Sequence, residues 1–165
     1  MTNLGTPIPQ RYRPIALSIF DQGGGGLAGL MWTHIFLIRP EELTYTHPAR
    51  VSAVQTLGGA FADDFGEGLI EAHIAGHTGW RGSLEIPGEL QFLNLRELVW
   101  KRYFNLRNQR ASAGQDPDQI EMILTDTLNV VAAVVVPQSF QLRRHRSRPL
   151  LYQFDLRLTV VRPFF

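Results

Sequence analysis

The sequence predicts a β-rich α+β fold, an antiparallel β-sandwich or split barrel with one flanking helix. Several segments alternate apolar and polar residues with the period of two that is typical of a strand with one buried face. A single segment repeats its apolar residues at helical spacing. The chain has 165 residues, of which 44% are hydrophobic and 19% are charged, which is the composition of one globular domain with a core.

The first 30 residues are predicted to form an extended N-terminal arm, and residues 31–165 a single β-domain. Three prolines stiffen the beginning of the arm, because proline fixes its own backbone angle φ. A run of four consecutive glycines follows: Gly23, Gly24, Gly25 and Gly26. Ordering glycine is costly in entropy, so this run is predicted to be a flexible tether between the arm and the domain.

Four strands are predicted in the first half of the domain. Residues 32–39 are aromatic and β-branched and apolar on both faces, so Trp32, Phe36 and Ile38 are expected to lie in a core or at a subunit contact. Residues 42–46, 50–56 and 69–75 predict the other three strands, and the last of these enters a turn over residues 76–79.

One helix is predicted over residues 94–108. Asn94 and Glu97 have the spacing of a capping box, in which a side chain satisfies the first backbone N–H groups. Residues at helical spacing behind them form an apolar stripe that includes Leu95, Leu98 and Leu106. The polar residues 109–118 predict a surface loop.

The last third of the chain predicts strands only. Residues 119–125 alternate, and residues 130–136 are nearly all Val and Ala and end at Pro137. The clearest alternation runs from Tyr152 to Val160, which predicts one apolar and one charged face. A basic loop is predicted between these strands, over residues 141–149.

Catalytic, metal-binding and cofactor-binding residues are not predicted. The chain contains no cysteine, which excludes disulfides and thiolate sites. His73 and His77 follow Glu71, but zinc requires three or four converging ligands and the usual spacings are absent. The remaining acidic candidates flank glycines, which is ordinary loop composition; they are Asp63, Asp64 and Glu67.

The net charge is only +1, so the chain as a whole does not attract nucleic acid or an anionic membrane. Of 16 basic residues, all but Lys101 are arginine. This bias suits ion pairs at interfaces, and a GC-rich genome produces the same bias. No apolar run approaches the ~18 residues that span a bilayer, and the first residues lack a secretory signal pattern. We therefore expect no membrane insertion.

The basic loop is the sharpest local feature of the sequence. It carries four arginines around His145: Arg143, Arg144, Arg146 and Arg148. Guanidinium groups this close repel one another unless an anionic partner neutralises them. The sequence leaves three interpretations open: an acidic surface of a protein partner, a nucleic-acid backbone, or a solvated hairpin loop.

The segment from Tyr45 to Trp80 resembles phage tail-tip proteins of the distal tail, baseplate hub or tube-connector type. The pattern combines a strand with a Gly-Gly end, an aromatic before Gly-x-Gly, and a strand closing in Ile-x-Gly-x-Thr-Gly. The matching residues are Pro48, Arg50, Thr56, Gly58, Gly59, Phe65, Gly66, Gly68, Ile74, Gly76, Thr78 and Gly79. The resemblance extends over residues 31–161 when the helix and the closing hairpin are included.

The resemblance implies a tail-tube-like fold and a structural virion protein without enzymatic activity. Such subunits form hexameric or trimeric rings around a lumen, in contact with neighbouring tail-tube and baseplate proteins, and are assembled in the cytoplasm of the host bacterium. Subunit contacts are then expected to include Trp32, Phe36, Ile38 and the arginine loop. DNA that passes through the lumen is expected to contact the loop transiently, as a second partner. The alternative is a small nucleic-acid-binding protein that uses the arginine loop.

Overall fold

Nine strands in two antiparallel sheets dominate the computed structural model, which describes residues 14–24, 29–56, 59–79, 88–145 and 148–163. The seven-stranded sheet has the order β2-β1-β7-β8-β9-β6-β3, and the second sheet is the hairpin β4–β5. The strands are β1 (Ile15–Asp21), β2 (Leu30–Ile35), β3 (Glu42–Thr46), β4 (Ala49–Thr56), β5 (Gly59–Glu67), β6 (Glu71–His77), β7 (Ile120–Asp126), β8 (Val131–His145) and β9 (Arg148–Pro163).

Within these residues, one long helical segment packs on a face of the large sheet, and this confirms the predicted β-rich α+β class. It consists of α1 (Gly88–Arg96), a π-helical turn (Glu97–Arg102) and α2 (Tyr103–Ser112). Its fully buried side chains, among them Leu95, Val99 and Tyr103, join the core with those of the strands. No helix among the described residues has both the length and the apolar composition to cross a bilayer.

The predicted start of this helix at Asn94 is wrong, because α1 already begins at Gly88. Asn94 therefore lies inside the helix, where the backbone N–H groups have helical partners and need no cap. The apolar stripe correctly predicted the buried face of the helix, since three of its residues are buried: Leu95, Leu98 and Val99. The helix also runs further than expected, to Ser112, into the segment predicted as loop.

Strand β1 corrects the prediction that residues 1–30 form an arm. It lies between β2 and β7, paired with β7 along its whole length. Leu17 and Ile19 are fully buried, as their alternation with Ser18 requires in a strand that faces the core. Residues 15–21 are thus part of the domain, and the part of the expected arm before Pro14 lies outside the described residues.

The glycine run is described only in part. Gly23 and Gly24 belong to a short 3-10 turn, Gln22–Gly24, and Gly25 and Gly26 lie outside the described residues. The backbone N–H of Gly23 donates to the Asp21 carboxylate at 2.8 Å. The first two glycines therefore form a turn directly after β1, while the tether itself stays a prediction.

Arg110 of α2 and Asp21 of β1 form a partly buried ion pair that joins the helix to the sheet. One guanidinium nitrogen of Arg110 lies 2.5 Å from both carboxylate oxygens of Asp21, and the two side chains are only 17% and 20% exposed. The Arg110→Met variant, which keeps the aliphatic stem, is expected to lower the free energy of unfolding by about 1–3 kcal/mol, because it leaves a carboxylate without its partner.

Urea unfolding of Arg110→Met tests this expectation, with Arg102→Met as the matched control. Arg102 lies 3.6 Å from Glu97, and the two side chains are 38% and 49% exposed; exposed pairs contribute about 0–1 kcal/mol. Equal losses in the two variants would show that the Asp21 contact does not hold the helix to the sheet.

Most of the predicted strands are present. The ranges of β3, β4 and β7 agree with the prediction within a residue or two, and β6 lies two residues later than predicted. In β9 the predicted alternation holds throughout, since its buried side chains are Tyr152, Phe154, Leu156, Leu158 and Val160.

Two predictions for the other strands are wrong. The segment with Asp63, Asp64 and Glu67 is not a loop but strand β5. Strand β8 does not end at Pro137 but continues to His145, with its register shifting between Pro137 and Ser139. A bulge of this kind accommodates a proline, which has no N–H to donate to the ladder.

Candidate assembly surfaces

Strand β2 is one of the two edges of the seven-stranded sheet, and its side chains are largely apolar. It pairs only with β1 among the described residues. Leu30, Met31 and Ile35 are exposed, Ile35 at 47%. Native edge strands are normally protected by charges, proline or bulges; β2 carries no acidic or basic residue other than the buried His34. An edge of this composition favours pairing with another strand.

Three residues were predicted to lie at subunit contacts, and the structure gives each a different environment: Trp32, Phe36 and Ile38. Trp32 is half-buried beneath the guanidinium of Arg102, 4.7 Å from the ring centre. Phe36 lies beyond the end of β2 and is buried against Phe154, with 5.5 Å between ring centroids. Ile38 is half-buried. Phe36 is thus a core residue of the folded chain, whereas contacts of Trp32 and Ile38 with another subunit stay a prediction.

A groove of about 410 Å³ lies between β2 and the helix. Trp32, His34 and Ile35 line it from the strand, and Gln91, Leu98 and Arg102 line it from the helix. The π-helical turn Glu97–Arg102 forms part of its wall. Such turns are frequent at functional sites, and this one places Arg102 over Trp32 at the open side of the sheet.

His34 is the buried titratable group of this groove. Burial lowers the pKa of His34 to about 4 from the ordinary value of 6.5. The unfolded chain therefore binds the proton more tightly than the folded chain, so the stability is complete above about pH 6.5 and falls as the pH drops toward 4. Between pH 7 and pH 4.5 the expected loss is about 2–3 kcal/mol, at about 1.4 kcal/mol per pKa unit.

Urea unfolding of the wild type and of His34→Leu at these two pH values measures this contribution. The wild type is expected to lose about 2–3 kcal/mol more than the variant on acidification. Parallel losses in the two chains would rule out His34 as the source of the acid sensitivity.

None of the described side chains of the hairpin β4–β5 belongs to the core of the large sheet. Large apolar side chains are exposed on both of its strands: Val51 at 55%, Val54 at 56% and Phe65 at 67%. A two-stranded hairpin is marginally stable alone in water. These side chains therefore mark the hairpin as a surface that a partner can cover.

The carboxylates of the hairpin have local partners rather than a catalytic arrangement. Asp64 accepts a hydrogen bond from the Gly66 N–H at 2.8 Å, where Gly66 takes a positive φ of 84°. Glu67 lies 2.6 Å from the ring of His47. Asp63 and Asp64 are consecutive on a strand, so their side chains point to opposite faces. The arrangement offers no carboxylate pair for acid–base chemistry.

The histidines near Glu71 do not converge on a common point. The two ring nitrogens of His73 contact different carboxylates, Glu42 at 3.3 Å and Asp155 at 3.0 Å. His77 lies 3.2 Å from Glu41. Across the described part of the chain, no three His, Asp or Glu side chains form a metal-binding group. These residues instead tie strands β3, β6 and β9 together on the polar face of the sheet.

The predicted basic loop is the tip of the long β8–β9 hairpin. Arg143 and Arg144 lie on β8 and Arg148 begins β9, while Arg146 lies outside the described residues. The side chain of Arg143 is exposed and donates to Gln141 at 3.1 Å. Beside it, a groove of about 320 Å³ opens between α1 and the hairpin, lined by Glu89, Phe92, Leu93, Arg96, Leu142, Arg143 and Tyr152.

The two hairpins lie at opposite ends of the sheet. The β4–β5 hairpin joins the sheet where Glu71 pairs with Thr159 of β9. The arginine tip begins at Arg148, eleven residues earlier in the same strand, which is about 37 Å at the rise of an antiparallel strand. One end of the domain is therefore acidic and apolar and the other end is basic.

Strand β5 is the part of the β4–β5 surface that the sequence analysis missed. Its signal is weak, because Ala62 and Phe65 are three residues apart and do not keep the period of two of a half-buried strand. Gly59, Gly66 and the Asp63–Asp64 pair hid it, since glycine and aspartate are typical of loops.

Comparison with known proteins places the chain in a family. A family model described as "Putative phage tail tube initiator protein" matches residues 13–164. None of the curated proteins matches the sequence. The solved structures that are similar to the chain include the sheath/tube terminator of an extracellular contractile injection system (PVC), with 10% identity over 98% of this chain and 97% of that chain and a TM-score of 0.42.

Two further solved structures are similar to the chain at comparable scores. The tail of an empty GTA particle has 13% identity over 94% of this chain and 95% of that chain, with a TM-score of 0.39. The tube-terminating cap of the anti-feeding prophage has 9% identity over 99% and 93%, with a TM-score of 0.39. The family match supports a structural component of a phage tail, not an enzyme, and does not favour the nucleic-acid-binding alternative. Because the family model covers nearly the whole chain, the protein belongs to the phage tail tube initiator family.

Proposed function

We propose that the protein forms a ring at the end of the tail tube and links the tube to the hub of the tail tip. The uncharged edge strand β2 carries this proposal. Closed rings require a surface on each subunit that its neighbour covers, and β2 offers a free backbone edge with exposed Met31 and Ile35. Trp32, Arg102 and Ile38 flank this edge and would be covered with it.

The second edge of the sheet supplies the complementary surface. Strand β3 pairs only with β6 among the described residues. It is five residues long, against six in β2, and its half-buried Leu43 and Tyr45 face the same core as the other strands. Pairing of β2 in one copy with β3 in the next would continue the sheet around a ring of six or three copies.

A ring built in this way would present the polar face of the sheet to its lumen, because the helix covers the opposite face. On that face His73 contacts Glu42 and Asp155 across the strands, and Arg157 lies exposed on β9 opposite His73. DNA passing through the lumen would meet charges of both signs, which suits passage of DNA rather than retention.

The unlike ends of the domain suit a connector between two different neighbours. The acidic hairpin end and the basic tip end are about 37 Å apart along β9. A subunit that joins a tube on one side to a hub on the other needs two distinct axial surfaces. We place the assembled protein in the phage tail.

Native mass spectrometry and negative-stain imaging test the ring, with the chain alone from micromolar concentration upward and with the tail tube protein added. We expect trimers or hexamers that appear as rings, alone or at the end of tubes. A chain that remains monomeric under both conditions contradicts the proposed function.

A further inference from the structure

We infer that Phe65 of one copy docks into the groove between α1 and the β8–β9 hairpin of a second copy, in a head-to-tail contact in which Asp63 meets Arg143. This inference rests on the proposed function, since it describes how copies of the protein contact one another. It uses a second surface, distinct from the β2 edge.

Phe65 has the properties of an anchor residue. It is 67% exposed on a hairpin whose described side chains take no part in the core. Aromatic side chains that fill a partner's pocket dominate the energetics of many interfaces. Asp63 lies on the same face of β5, because side chains two residues apart on a strand point the same way. The anchor therefore has a carboxylate next to it.

The groove at the other end of the domain complements this anchor. Its apolar walls are Phe92, Leu93, Leu142 and Tyr152, and Leu93 is exposed. Its rim carries two cations, Arg96 and Arg143, against one carboxylate, Glu89, which accepts a hydrogen bond from Tyr152 at 3.0 Å. An apolar pocket with a basic rim fits an aromatic side chain with a neighbouring carboxylate.

The charges around the two surfaces reinforce the match. The hairpin has three carboxylates, on Asp63, Asp64 and Glu67, against the single guanidinium of Arg50. From residue 127 to residue 154 the sequence contains no Asp or Glu, so the β8–β9 tip is basic throughout. Opposite charges of this kind steer encounter and fix the orientation of partners.

The positions of the two surfaces determine the type of contact. They lie at opposite ends of the sheet, so the hairpin of a chain is remote from its own groove. The contact between copies is therefore heterologous, a geometry that closes into a ring or continues as a stack, depending on the rotation between copies.

A charge-exchange experiment on the full chain tests the contact. The variants Asp63→Arg and Arg143→Glu each place like charges together, and each alone is expected to weaken head-to-tail association at least tenfold. An equimolar mixture of the two variants restores an opposite pair at every contact, since either hairpin then meets the oppositely charged tip of the other variant. Sedimentation velocity and native mass are expected to show recovery in the mixture only.

Engineered cysteines give a second readout on a chain that has no cysteine of its own. A mixture of Phe65→Cys chains and Leu93→Cys chains is expected to form the mixed disulfide dimer. The matched control replaces Leu93→Cys with Asn108→Cys, which is exposed at the far end of the helix, and should give little mixed dimer.

The outcomes separate this contact from the proposed ring. Rings that form equally well in Asp63→Arg, Arg143→Glu and the wild type, with no preferred crosslink to Leu93→Cys, contradict the contact and leave the ring in place. A wild-type chain that forms no assembly alone or with the tail tube protein contradicts both. The charge controls Glu71→Arg and Lys101→Glu, both exposed, are expected to assemble as the wild type does.

Discussion

The double variant Met31→Lys/Ile35→Lys is expected to abolish lateral assembly while leaving the chain folded. Both side chains are exposed on the edge strand β2 and point away from the core. Lysine on an edge strand hinders pairing with another strand, and native sheets use such charges to protect their edges. The expected result is a monomer by native mass at concentrations where the wild type forms rings.

The control for this variant is Val161→Lys. Val161 is also an exposed apolar residue, but it lies near the end of β9, within the sheet rather than on its edge. Circular dichroism and urea unfolding check that all chains fold. Rings in the β2 variant, or their loss in Val161→Lys alone, would show that β2 is not the lateral contact.

Leu17→Ala is expected to lower the free energy of unfolding by about 2–5 kcal/mol. Leu17 is fully buried in β1, between β2 and β7. Truncation of a buried leucine loses its transfer free energy and leaves a cavity that close-packed neighbours fill only in part. For a domain of this size such a loss is a large fraction of the total stability.

The matched control is Leu69→Ala, the same truncation at a leucine that is 68% exposed. Its effect is expected within about 0.5 kcal/mol, as for other surface substitutions. Equal and small effects for both variants by urea unfolding would mean that residues 15–21 behave as an arm after all and not as a central strand.

The sequence predicted the parts of the fold in which periodicity and burial agree. The alternation of β9, from Tyr152 to Val160, is visible in the sequence because one face packs on the core and the other is polar. The stripe through Leu95, Leu98 and Val99 identified the helix for the same reason. In both segments each local preference points to the same structure.

The errors arose where local composition and tertiary context disagree. The segment 15–21 follows a proline-rich start and precedes four glycines, and only pairing with the distant β7 turns it into a central strand. A proline usually ends a strand, but a register shift between Pro137 and Ser139 allows β8 to continue. Such long-range pairing leaves no short-range signal in the sequence.

The candidate surfaces were predictable only in part. The arginines around His145 were visible as a basic cluster, but the groove beside Arg143 depends on α1 packing near the hairpin. The free edge of β2 follows from the strand order, which no single segment encodes. The exposure of Phe65 follows from the position of β5 outside the core, which the sequence does not show.

A cryo-electron microscopy map of the assembled tail tests the central claim most directly. We predict a ring of this protein at the end of the tail tube, with β2 of each copy covered by its lateral neighbour. The hairpin end and the arginine tip would face opposite directions along the tube. A map that places the chain outside the tube end, or that leaves the backbone edge of β2 unpaired within the ring, would contradict the account.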